Sequence, residues 1–109
     1  MISDELRNGV VNLVREELVM ANKKYPLFSS NHEGYAVIKE ELEECQEVLD
    51  KATSEFAEMW KFIRKDCRCG GTAITGKLFL IAVAAEAIQA AAMMEKFIKS
   101  EDSRFAETK

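Results

Sequence analysis

Apolar residues recur along this chain in steps of three and four, the period of an amphipathic α-helix, over nearly its whole length. Leu6, Val10, Leu13, Val14, Leu18 and Ala21 form a first stripe. Ser3 is placed to cap it, with Asp4 and Glu5 in the favourable first turn. The pattern predicts a helix from Ser3 to near Lys23. The stretch from Lys24 to Ser30, KYPLFSS, ends it, because Pro26 offers no N–H and biases Tyr25 out of the α region. Leu27 and Phe28 are expected to tuck this connection onto the core. Ser30, followed three residues later by Glu33, reads as a capping box that opens a second helix close to Ser30 or Asn31. From there Tyr35, Ile38, Leu42, Cys45, Leu49, Ala52, Phe56, Met59 and Ile63 alternate as a heptad seam. It predicts one helix to about Lys65, roughly 50 Å long at about 1.5 Å per residue.

The third pattern is of another kind. From Leu78 to Met94 the chain reads LFLIAVAAEAIQAAAMM, where only Glu86 and Gln89 are polar. A helix that is apolar all round is buried, so a core helix is expected from about Thr75 to Lys99. Gly70-Gly71, inside DCRCGGTAIT, marks the connection before it, and SEDSRFAETK after it reads as a frayed polar tail. The expectation is one all-α domain over residues 1–100 with a polar tail at 101–109. Its three main helices form a four-helix-bundle-like core. A single short first helix cannot cover both the long seam and the all-round apolar helix, so oligomerisation, as a homodimer or homotetramer, is expected to complete that core.

Composition narrows the function classes. The 109 residues carry a net charge of −4 with no basic tract, which argues against sequence-independent nucleic-acid binding. The N-terminus lacks a basic, then apolar, then small-residue progression, so a cytoplasmic location is expected. The apolar run, short of a typical span and with a carboxylate at its centre, reads as a core helix rather than a membrane segment. Three cysteines in such a chain are expected to be reduced thiols. Cys67-x-Cys69 supplies two of the four ligands a structural zinc needs, and Cys45 and His32 lie far along the chain. His32 reads as a capping or surface residue.

The chemistry gathers in two places. Glu40, Glu41, Glu43, Glu44 and Glu47 crowd two turns of the second helix, and the step from Glu41 to Glu44 sets two of them on one face. Such a run alone reads as a solvated acidic face. Glu86 and Gln89 repeat the same step inside the apolar helix, and a buried carboxylate costs several kcal/mol unless paired, protonated or bound to a cation. A salt bridge to a Lys or Arg on a neighbouring helix would satisfy Glu86. So would Mg²⁺ or Mn²⁺, held by the hard oxygen ligands of Glu41, Glu44, Glu86 and Gln89.

Glu41-x-x-Glu44 after GYAVIKE, together with Glu86-x-x-Gln89 inside AEAIQAAAMMEKFI, resembles the MazG-like all-α nucleoside triphosphate pyrophosphohydrolases, in their short, phage-associated branch. The resemblance covers roughly Ser30 to Lys99. It implies a helical dimer or tetramer that uses Mg²⁺ to cleave a (d)NTP between the α and β phosphates, giving a (d)NMP and pyrophosphate. Glu41 and Glu44 match the first acidic motif and Glu86 opens the second. Gln89 stands where the superfamily has Asp, which removes one negative charge and one potential bridging carboxylate. The interval from Glu44 to Glu86 is also longer than in compact members.

On this reading Glu41, Glu44 and Glu86 are metal ligands and catalytic residues. Glu47, one turn on, is a further ligand or a base, with surface exposure as the plainer alternative. Lys96, seven residues after Gln89, is placed to meet a phosphate unless it is a snorkelling lysine. Asn31 can reach a base edge or cap its helix, and Trp60, like Tyr35, can stack on a base or pack in the seam. The other reading is a helical assembly module of the same descent, its activity weakened or lost with the change at Gln89. A plain metal-binding bundle is the third.

Overall fold

Each of the two early helix starts is held by a serine. Ser3 Oγ accepts the Leu6 N–H at 3.2 Å and Ser30 Oγ accepts the Glu33 N–H at 3.1 Å. In the computed structural model, which describes residues 1–107, these caps open α1 (Asp4–Lys24) and α2 (Asn31–Arg64), and a third helix, α3, runs Gly70–Glu107. The all-α expectation holds, with no strand among the described residues. α2 and α3 form an antiparallel hairpin, and α1 packs on α3. The molecule is elongated, 67 × 30 × 23 Å.

The core sits at one end of the hairpin, where α1 lies. Leu18 of α1, Phe28 of the connection, Ile38 of α2, and Ala92 and Met93 of α3 are buried together, with Val14, Ala21, Val37 and Phe97 against them. Here α2 and α3 approach closely at Gly34, where a Cβ would stand 2.6 Å from Phe97 Cδ2 and 3.0 Å from Phe28 Cδ2. Further along the hairpin the seam runs on without cover. Phe56 and Trp60 are 70% and 58% exposed, and Tyr35, at the other end of α2, is 70% exposed.

Four expectations are corrected. First, α3 starts at Gly70 rather than Thr75, because the chain turns before the glycines. Asp66 has φ 54, its N–H bonds Ile63 O, and the Cys67 N–H bonds Phe62 O at 2.9 Å. This is a Schellman motif with Asp in the left-handed position that Gly usually takes. Second, the segment after Lys99 is not frayed: α3 continues to Glu107, because its polar residues tie down the first connection. Ser100, 1% exposed, accepts the Phe28 N–H at 2.9 Å, Arg104 donates to Phe28 O at 2.8 Å, and Glu101 accepts from Asn31 Nδ2 at 2.8 Å.

Third, α3 is not buried all round. Its second half buries one face, at Ala90, Ala92, Met93 and Lys96, and exposes Met94 and Ile98, while in the first half Leu78, Leu80 and Ile81 are more than half exposed. By length and composition α3 also meets the requirements of a membrane span. Fourth, neither Tyr35 nor Trp60 packs into a core of this chain, for lack of a helix above them. The three cysteines are free thiols, as expected, with Cys45 Sγ 3.8 Å from Val83 O.

Two substitutions test this packing by urea denaturation. Gly34→Ala gains about 1 kcal/mol of helix propensity but overpacks the Phe97 and Phe28 rings at a cost of about 1–3 kcal/mol, so a net loss is expected. Asp66→Gly relieves the left-handed residue and is expected to stabilise by about 1 kcal/mol.

Candidate metal centre and its cleft

Antiparallel pairing of α2 and α3 brings residues forty positions apart to the same level of the hairpin. Glu41, Glu44 and Glu86 each turn a carboxylate oxygen to a common point, all within 4.8 Å of one another. Glu41 and Glu86 are half-buried and Glu44 is exposed. Their i, i+3 step on α2 and the facing position on α3 produce the set.

No cation among the described residues lies within ion-pair distance of these charges. Among the described residues the ion pairs within 4.0 Å are Lys39 with Glu43 and Lys61 with Glu58, both on the surface of α2. Glu41 Oε2 and Glu86 Oε2 are buried with no hydrogen-bond partner. The salt-bridge alternative for Glu86 is thus not realised. Burial raises the Glu41 carboxyl above its ordinary value of 4.5, and the negative charges of Glu44, Glu86, Glu40 and Glu17 push the same way. Three carboxylates with two orphaned buried oxygens fit a hard divalent cation held by oxygen ligands.

Gln89 stands beside this cluster and is bonded to one of its acids. Its Nε2 donates to Glu41 Oε1 at 3.3 Å, which holds that carboxylate and satisfies its other oxygen. Glu47 is exposed and lies outside the three-carboxylate set.

A cleft of about 600 Å³ opens from Glu41 and Gln89 between α1, the connection and α3. Its walls include Met20, Ala21, Tyr25, Phe28, Val37 and Met93, and its polar members are Glu17, Lys24, Glu33, Glu41, Gln89 and Lys96. Lys96 is 3% exposed, has no carboxylate within ion-pair distance, and sets its Nζ 4.9 Å from the centre of the Phe28 ring. Burial lowers its ammonium from the ordinary value of 10.5, with Glu33 opposing. Lys96 is therefore a cleft lysine rather than a snorkelling one.

The other sequence candidates are not brought here. Asn31 donates from Nδ2 to Glu101, accepts at Oδ1 from Arg104, and lines a separate hollow with His32, Tyr35 and Phe97. Trp60 lies nineteen residues beyond Glu41 on α2, roughly 28 Å away at about 1.5 Å per residue, with Arg64 over its ring. Glu17 was not a sequence candidate, although a signal existed: it follows Val14 by three residues and precedes Ala21 by four, on the apolar face of α1.

Because Glu41 is more readily protonated in the folded chain than in the unfolded one, the folded state binds more protons above about pH 4.5. Its contribution to stability is therefore increasingly unfavourable as pH rises from that point through the folded value. Metal-free Glu41→Gln should melt higher than wild type at pH 7, with the difference vanishing towards pH 4 in thermal scans. Mg²⁺ or Mn²⁺ at a hundred times its Kd should stabilise wild type by about 2.7 kcal/mol and Glu86→Gln by much less. No family model, curated protein or solved structure matches this chain.

Proposed function

We propose that this chain is a Mg²⁺-dependent nucleoside triphosphate pyrophosphohydrolase that cleaves a (d)NTP to a (d)NMP and pyrophosphate. One observation carries the reading: Glu41, a member of an acidic cluster with two unpartnered buried oxygens, lines the same cleft as a buried, unpaired lysine. That pairing of opposite needs suits a polyphosphate accompanied by a cation. The motif resemblance around Glu41, Glu44 and Glu86 supports it further.

Glu41, Glu44 and Glu86 would hold the ion, with Gln89 fixing Glu41. Bound Mg²⁺ supplies Lewis-acid charge at the phosphates and lowers the pKa of a coordinated water. Lys96, which lines the same cleft as Glu41 and Gln89, offers its ammonium to a phosphate oxygen. Glu44, the exposed member, is the carboxylate open to the solvent from which the attacking water comes. Water adds at the α phosphorus, the bond to the bridging oxygen breaks, and pyrophosphate leaves with that electron pair. A carboxylate takes the proton. The apolar walls of Met20, Val37 and Met93 limit water and strengthen each charge interaction.

The uncovered seam supports self-association as part of the same reading. Leu42, Leu49 and Ile63 on α2 are exposed, and Phe56 on α2 with Leu80 and Ile81 on α3 line a groove that a second hairpin would turn into a four-helix bundle. This surface also favours the assembly-module reading, which differs in predicting no turnover.

Pyrophosphate release from a (d)NTP panel with Mg²⁺ tests the proposal. Activity should fall at least a hundredfold in Glu41→Gln and Glu86→Gln, and about ten- to a hundredfold in Lys96→Met, the loss of a charged hydrogen bond worth about 1.5–3 kcal/mol. Wild-type levels in both Glu variants would refute the site. Light scattering at micromolar concentration should give a dimer or tetramer, and Phe56→Glu with Ile81→Glu should shift the mass towards the monomer.

A further inference from the structure

Resting on that pyrophosphohydrolase reading, the polar groups of the cleft also carry information about the base. On that reading Lys96 goes to a phosphate, and Lys24 Nζ lies 5.5 Å from the centre of the Tyr25 ring. Gln89 is spent on Glu41. Among the described residues no Ser, Thr, Asn or His lines the cleft. Apart from the Tyr25 hydroxyl, what remains is acceptor-only. Of the three carboxylates in the lining, Glu41 belongs to the cluster, and Glu33 Oε2 accepts the Ser29 hydroxyl at 2.5 Å. Glu17 alone has no hydrogen bond or ion pair among the described residues, and it stands among apolar side chains, Met20, Ala21 and Met93, that suit the face of a base.

We infer that Glu17 is a specificity-determining residue that selects substrates whose base presents an exocyclic amine, cytosine or adenine, over uracil and thymine. An ionised carboxylate can only accept hydrogen bonds. The 4-amino group of cytosine or the 6-amino group of adenine donates to it, whereas O4 of uracil or thymine would face it as a second acceptor and leave both unpaired. Sites built around a buried hydrogen bond discriminate strongly for this reason.

The experiment compares kcat/KM for CTP, ATP, UTP and dTTP with Mg²⁺, and in parallel the binding of non-hydrolysable α,β-methylene analogues of CTP and UTP by calorimetry. Wild type is expected to prefer the amine-bearing bases by about tenfold or more in both measurements. Glu17→Gln, whose amide both donates and accepts, should bring the ratio near one without lowering the melting temperature. Hydrolysis with no base preference, or a preference that Glu17→Gln leaves intact, overturns the inference and leaves the enzymatic reading standing. Base-selective analogue binding without hydrolysis does the reverse. Analogues that fail to bind overturn the inference.

Discussion

Charge that is removed from water and left without a partner is the constraint from which the rest of this molecule follows. Two carboxylate oxygens, on Glu41 and Glu86, lie between α2 and α3 with no donor to meet them, and a third acid, Glu44, is drawn to the same point. Folding such a set costs several kcal/mol unless something arrives to offset it. Replacing Glu86 by an apolar residue would remove the cost, so the arrangement makes physical sense when a cation offsets it. Gln89 fits this logic: a neutral amide beside the acids adds no repulsion and orients Glu41 through its N–H.

Lys96 presents the same problem with the opposite sign. Its ammonium is buried against Phe28 and away from any carboxylate within ion-pair distance. The helix that carries it is held in place by its own polar extension, through Ser100 and Arg104 on the backbone of Phe28. The residues that clamp the connection thereby fix one wall of the cleft. An anion reaching Lys96 and a cation reaching Glu41 would enter one space.

The far half of the hairpin has a different physics. There the seam of α2 and the first turns of α3 present large apolar side chains to solvent, and no third helix covers them because α1 lies at the other end. Such a face on an otherwise acidic, well-capped molecule suits a partner surface of matching shape, which a second hairpin would supply under the proposed self-association.

Sequence alone determined the class of fold, the caps at Ser3 and Ser30, the length of α2 and the facing acids Glu41, Glu44 and Glu86, since all of these follow from local periodicity and side-chain chemistry. Tertiary structure decided the rest, because each remaining feature depends on which group meets which across the chain. Composition made the stretch after Lys99 look like a tail, and only its bonds to Phe28 and Asn31 made it helix. Gly70-Gly71 looked like the turn, and only the positive φ at Asp66 placed the turn earlier. Asn31 and Trp60 had suitable chemistry but lie at the wrong places on the hairpin, while Glu17 came into the cleft because α1 packs on α3 with its apolar face, and a carboxylate on that face goes where the face goes.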